Sequence, residues 1–261
     1  MSTLAYALTD TSTMLRRQIK HMQRYPSLTI MLIGMPVVFL LLFVFVFGGT
    51  LGDGLGGPTG GRDAYLAYVT PGILMMTLAG IVQGTAIGVA MDMTEGIIDR
   101  FRTMSIARVS VLTGHVLGSM IQSFLGIAVV LGVAAALGYR PEAGPLEWLG
   151  LVGVVALVSF GLIWLTVALG ITAKSVETAS NSPMFLMIMP FLGSAFVPTD
   201  SMPTVLRYFA DYQPFTPWIE VTRSLLSGTA VDGQDLVLTI AWALAFAILG
   251  YAISRKKFNK R

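Results

Sequence analysis

The chain has 261 residues, 54% of them hydrophobic and only 12% charged, with a net charge of +3 and a mean hydropathy of +0.74. A soluble domain carries about 25% charged residues, so half that share excludes an ordinary water-soluble fold and makes lipid the expected solvent. The absence of cysteine excludes disulfides and thiolate metal sites.

The first 26 residues are mixed and polar, without the short apolar core and small-residue cleavage site of a secretory signal. On a helical wheel Leu4, Leu8, Leu15, Ile19 and Met22 share one face, and Arg16, Arg17, Lys20 and Arg24 lie opposite. That pattern predicts an amphipathic helix over residues 1–26, lying in the cytoplasmic interface and ending at Pro26. It reads as an orientation anchor for anionic lipid or as a docking surface for a partner.

Six uncharged runs follow: Ser27–Gly52, Ala64–Met91, Val109–Tyr139, Trp148–Ala173, Thr178–Thr199 and Leu236–Ser254, each of 19 residues or more. About 20 residues cross a bilayer, and backbone groups in hydrocarbon must pair within their own segment. The expectation is an all-α integral membrane protein with six transmembrane helices, a transmembrane domain over 27–254 and a basic tail over 255–261. Loops assigned alternately to two sides place thirteen Lys and Arg with the termini and four opposite. By the positive-inside rule both termini are cytoplasmic in a multi-pass plasma-membrane protein.

Between the first two runs, GGTLGDGLGGPTGG (48–61) holds eight glycines. It lacks the flanking strand and the Lys-Ser/Thr of a phosphate loop, and is read as a flexible linker. ITAKS (171–175) likewise lacks the glycines of a nucleotide loop. The stretch DMTEGIIDRFRTMSIAR (92–108) packs three acidic and three basic side chains between two uncharged runs. It predicts a short cytoplasmic helix, with Asp92 as N-cap and Glu95 three residues on as its capping-box partner. Asp99 and Arg102 are spaced to pair, Ile97, Ile98 and Phe101 form an apolar edge, and Gly96 would let another backbone approach. A membrane-surface helix is the alternative.

The fifth run is interrupted by Pro183 and Pro190, with Phe185, Met187 and Met189 between them. Flexible, polarizable methionine suits a surface that accepts several shapes, so Phe185, Met187, Met189 and Pro190 are candidates for a substrate path; lipid-facing or packing side chains are the other reading. The stretch 198–235 is too polar to span. Its prolines divide it into two short helices expected to dip into the outer leaflet between spans five and six. Tyr208, Phe209, Tyr212, Phe215 and Trp218 then form either a structural lid or an outer gate.

The six runs carry no ionisable side chain except His115. An ion-coupled carrier working alone would show a buried carboxylate, and an intramembrane enzyme would show an HExxH pair or a carboxylate cluster. His115 is read as hydrogen-bonded to a neighbouring helix rather than as a proton relay. A membrane assembly protein without transport has no positive support. What remains is one subunit of a machine powered by a separate ATPase.

EGIIDRFRTMSIAR (95–108) closely resembles the cytoplasmic motif of ABC-2 type transporter permeases of the daunorubicin-resistance class. FVPTDSMPTVLRYFADYQPFTPWIEVTRSLLSG (196–228) resembles their region between the fifth and sixth spans. One departure is TMS (103–105), where such permeases often carry a Leu-Pro or similar pair. The resemblance implies a non-enzymatic permease subunit that exports an amphipathic or hydrophobic drug, antibiotic or lipid. Lipid-linked or polysaccharide export is the nearest alternative. It further implies a second permease chain, identical or related, and two ABC ATP-binding subunits that hold ATP and magnesium; membrane lipid is the other partner, and neither nucleic acid nor a resident metal or cofactor is expected. Coupling to the ATPase would fall to Glu95, Gly96, Asp99, Arg100, Phe101 and Arg102, with Arg16, Arg17, Lys20 and Arg24 on the interface helix.

Overall fold

The computed structural model describes residues 3–24, 26–56, 61–96 and 108–260, and no strand occurs among them. Helix α1 (Thr3–Arg24) precedes α2 (Pro26–Leu42), which passes through a π-helical turn, Phe43–Phe47, into α3 (Gly48–Gly56). Then come α4 (Arg62–Thr94), α5 (Arg108–Ala136), α6 (Pro145–Thr172) and the short α7 (Val176–Asn181) and α8 (Met184–Ile188). A 3-10 turn at Met189–Leu192 leads on to α9 (Thr204–Tyr212), α10 (Phe215–Leu226) and α11 (Gly233–Lys260).

Among the described residues five stretches are long and apolar enough to cross a bilayer: Thr29–Gly54, Arg62–Thr94, Leu112–Ala136, Pro145–Thr172 and Gly233–Lys257. The remaining expected span, Thr178–Thr199, is not one continuous helix. Pro183 and Pro190 each lack a backbone donor and crowd the preceding turn, so the run divides into α7, α8 and the 3-10 turn. The broken segment nevertheless follows α4 in the opposite direction. Gln83 donates to the Ser180 carbonyl at 2.8 Å, Tyr68 to Ser194 at 3.0 Å and Tyr65 to Phe196 at 3.2 Å. From Gln83 to Tyr65 the axis of α4 rises about 27 Å, close to the thickness of the hydrocarbon core.

The glycine-rich stretch also departs from expectation, because Gly48–Gly56 extends the first span as helix instead of forming a linker. At the edge of a bilayer an unpaired backbone costs more than glycine's weakness in a helix. A Cβ at Gly52 would overlap the carbonyl of Gly61, where α4 begins.

α4 is the central post. Every residue from Val69 to Val82 is buried, and α2, α5, α6, α7 and α10 all pack on it. Small residues set these approaches: a Cβ at Gly72 would lie 2.6 Å from the Ala195 Cβ, and one at Gly170 would lie 2.7 Å from the Ala86 carbonyl. α6 and α11 pair in parallel, Gly161 against Ala243 and Gly250 against Trp164. The outward faces of α2 and α11 stay apolar and exposed, as at Ile30, Val38, Val237 and Ile248.

Candidate functional site

The helix ends on the side of α1 meet around one carboxylate. α4 continues through Thr94, so Asp92 stands in its last turn and is not the N-cap of a following helix. Glu95 is the C-cap of α4, and Gly96 follows at φ 67°. The left-handed backbone that stops the helix is the reason for glycine here; no described atom lies close to where a Cβ would stand, so the expected close approach is absent among the described residues. Asp99, Arg100, Phe101 and Arg102 lie outside the described residues.

Asp92 is 7% exposed, which corrects the expectation that no carboxylate is buried in the spans. Arg17 donates to it bidentately, Nη2 to Oδ1 at 2.7 Å and Nη1 to Oδ2 at 2.8 Å. His115 Nε2 stands 2.9 Å from Oδ2, and His115 Nδ1 meets the side-chain amide of Gln18. An amide nitrogen only donates, so Nδ1 accepts and Nε2 carries the hydrogen given to Asp92. The hydrogen bond to Asp92, ahead of their Coulomb attraction, raises the Arg17 pKa above its already high value.

α1 can reach this depth because α5 is grooved. A Cβ at Gly114 would lie 2.6 Å from Met14, and one at Gly118 would lie 2.9 Å from Gln18, so α1 seats directly on the α5 backbone. The docked face carries Met14, Arg17 and Gln18, while Arg16, Lys20 and Arg24 remain exposed as the helical wheel predicts. Arg17 leaves the basic face and turns inward. The sequence signal was Asp92 standing one residue past an uncharged run, with His115 near the same end of the next.

A cavity of about 620 Å³ opens beside this clasp, bounded by α1, α2, α4 and α5. Thr85 donates to Ser119 at 2.7 Å and Gln122 to Thr29 at 3.3 Å along its wall. Gly84 and Gly88 line the α4 side.

The opposite helix ends are tied differently. Arg223 of α10 donates to the Ser194 carbonyl at 2.8 Å and the Tyr68 carbonyl at 3.3 Å. It stacks on the Tyr68 ring at 4.0 Å and pairs with Glu220. These donors serve carbonyls near the C-terminal end of the broken segment, where Ser194 and Phe196 lie beyond any helix. The five aromatics proposed for a gate divide into two sets. Tyr208, Phe209 and Tyr212 are exposed on α9, whereas Phe215 and Trp218 are fully buried in the core, Trp218 against Phe246 and donating to the Thr239 carbonyl. Along the proposed path Phe185 is exposed, Met187 and Met189 are half-buried against the core, and Pro190 is buried.

A bundle of long apolar helices around one buried post, with two short helices at one end, is the architecture of a multi-pass membrane protein. The sequence profile of the ABC-2 type transporter family matches residues 9–227, and the chain belongs to that family. Similar proteins include a daunorubicin resistance ABC transporter permease of Streptomyces coeruleorubidus, 28% identical over 97% of this chain and 88% of that one. A doxorubicin resistance ABC transporter permease of Mycobacterium tuberculosis is 23% identical over 83% of this chain and 78% of its own length. An inner membrane transport permease of Escherichia coli is 23% identical over 90% of each.

Proposed function

We propose that this chain is the permease subunit of an ATP-driven exporter that moves an amphipathic or hydrophobic compound out of the cell. The observation that carries the reading is the full-length similarity to drug-resistance permeases, and the buried clasp joining α1 to the inner ends of α4 and α5 is consistent with it. Two permease chains would pair through exposed apolar faces such as those of α2 and α11. Two ATP-binding subunits, carrying ATP and magnesium, would sit against α1 and the stretch 95–102. Closure of the ATPase pair would then shift these elements and alternate access across the bundle. The roughly 27 Å that the broken segment runs beside α4 supports a sixth crossing. With six crossings and the basic asymmetry, both termini are cytoplasmic.

Asp92 does not revive the ion-coupled carrier, because both of its oxygens are held by Arg17 and one also by His115. The test is reconstitution with a candidate ATP-binding subunit. The pair should co-purify, and export of an amphipathic dye should require ATP. Replacing Glu95 and Arg102 together should lower substrate-stimulated hydrolysis while the permease stays folded. Dye movement by the chain alone under an ion gradient would overturn the reading.

A further inference from the structure

A second cavity, of about 510 Å³, opens at the end of the bundle opposite α1, among Asp211 and Tyr212 of α9, Glu220 and Arg223 of α10 and the first turn of α11. The turn at Pro198–Asp200 and Tyr68 of α4 complete its wall, and no charged side chain of α6 lines it. Five carboxylates face this space: Asp200, Asp211, Glu220, Asp232 and Asp235. Among the described residues two cations answer them. Arg207 pairs with Asp200 and, at 3.6 Å, with Asp211, while Arg223 pairs with Glu220. Asp232 instead caps α11, accepting from the backbone N–H of Gln234 at 2.9 Å and of Asp235 at 3.2 Å.

The half-buried Asp235 carboxylate is left with no hydrogen bond or ion pair to a described residue. Its electrostatic neighbours are other carboxylates: Glu220, Asp232 and Asp211. Drawing like charges together costs free energy, and a proton on one of them removes that cost. The first turn of α11 is also lightly packed, with Gln234, Leu236 and Val237 exposed. The helix is pinned further along, where Trp218 donates to the Thr239 carbonyl at 3.3 Å and Trp242 to the Tyr212 carbonyl at 3.0 Å. Those two bonds leave the turn that carries Asp235 room to pivot.

We propose that Asp235 is a proton-operated latch at this end of the bundle. Ionised, it repels Asp211 and Glu220, and the first turn of α11 stands away from α9 and α10. Protonated, it lets the three elements close, with both arginine pairs and the Asp232 cap left in place. The closed arrangement crowds the carboxylates and therefore holds the proton more tightly than the open one. Acid accordingly favours closure, and a rise in pH favours opening. Only the naming of the acid-sensing side as the outer one rests on the orientation proposed above; the latch itself does not depend on the exporter reading.

The chain has no cysteine, so Val205→Cys on α9 and Val237→Cys on α11, both at exposed positions, accept a pair of nitroxide labels without competing sites. The distance between them is measured by double electron–electron resonance on the full chain in phosphatidylcholine nanodiscs. From about pH 7.5 down to about pH 5, where crowded carboxylates take up protons, the population at the longer distance should shrink. The change should reach at most about tenfold per pH unit, the limit for one proton. Asp235→Asn should hold the shorter distance across the whole range, and Asp235→Ser serves in its place if the amide variant does not fold. Glu142→Gln, which removes a nearby carboxylate that does not line the cavity, should respond as the parent does. Salt at about 1 M should blunt the response, because it cuts the reach of exposed charges to about 3 Å. A distance that ignores pH in the labelled parent would overturn the latch. So would a response that survives the loss of the Asp235 carboxylate, or one that Glu142→Gln abolishes.

Discussion

The α1 end of this bundle, inner in the proposed orientation, and the opposite, outer end are both closed by polar contacts, but of opposite kinds. Inside, side chain meets side chain: Arg17, Asp92, His115 and Gln18 hold one another beside a cavity. Outside, side chain meets backbone: Tyr65, Tyr68 and Arg223 serve carbonyls of the broken segment. The inner closure depends on charges that can be separated and re-formed, and one partner is a residue of α1 that is a third exposed, at 36%. The outer closure serves carbonyls that lie past the last helical turn of the broken segment, so opening it would leave the Ser194 and Phe196 carbonyls without these donors in an apolar surround. The difference marks one end as held by side-chain pairs that can exchange partners and the other as tied to backbone.

The strongest way to break this contrast is Arg17→Asp, which sets two carboxylates face to face at a buried position. We expect a loss of about 3 kcal/mol in stability, read as a lowered thermal midpoint in detergent. Combining it with Asp92→Arg should recover part of that loss, because the pair interacts directly. A double variant no better than the worse single one would mean that the clasp is not an interacting unit.

At the outer end Gly72 packs closely against Ala195, where neither side is a flexible side chain. Gly72→Val should cost about 2 kcal/mol through overpacking. Unlike the charge reversal, it should have no compensating partner substitution. An unchanged thermal midpoint would show that the broken segment yields easily, and its anchoring role would fail.

The tyrosines sharpen the comparison further. Tyr65→Phe removes the donor seen for the Phe196 carbonyl and should cost about 1 kcal/mol. Tyr68→Phe should cost less, about 0.5 kcal/mol, because Arg223 still donates to the Ser194 carbonyl. Reversal of that order in unfolding measurements would mean that Arg223 does not share the load.

Much of this was legible from residues alone. Long uncharged runs against a bilayer's thickness require helices, because hydrocarbon offers the backbone no other partner, and five of the six expected runs correspond to long helices. The short helices Thr204–Tyr212 and Phe215–Leu226 stand where Pro203 and Pro214 divide the chain. The basic wheel of α1 placed Arg16, Lys20 and Arg24 outward.

What composition and spacing could not supply was which groups face each other. Asp92 read locally as a cap, and only the packing of α4, α5 and α1 brought it to residues 75 and 23 positions away. Phe215 and Trp218 read as members of one aromatic gate with Tyr208, yet burial divides them. The fifth run was apolar enough to span, but it is broken at Pro183 and Pro190, and Tyr65, Tyr68 and Arg223 of other elements serve the carbonyls beyond its last turn. Local chemistry, the 3.6-residue period and bilayer thickness determined where the helices lie. Pairings between distant residues were decided by which faces pack, and that depends on the glycines that let backbones approach.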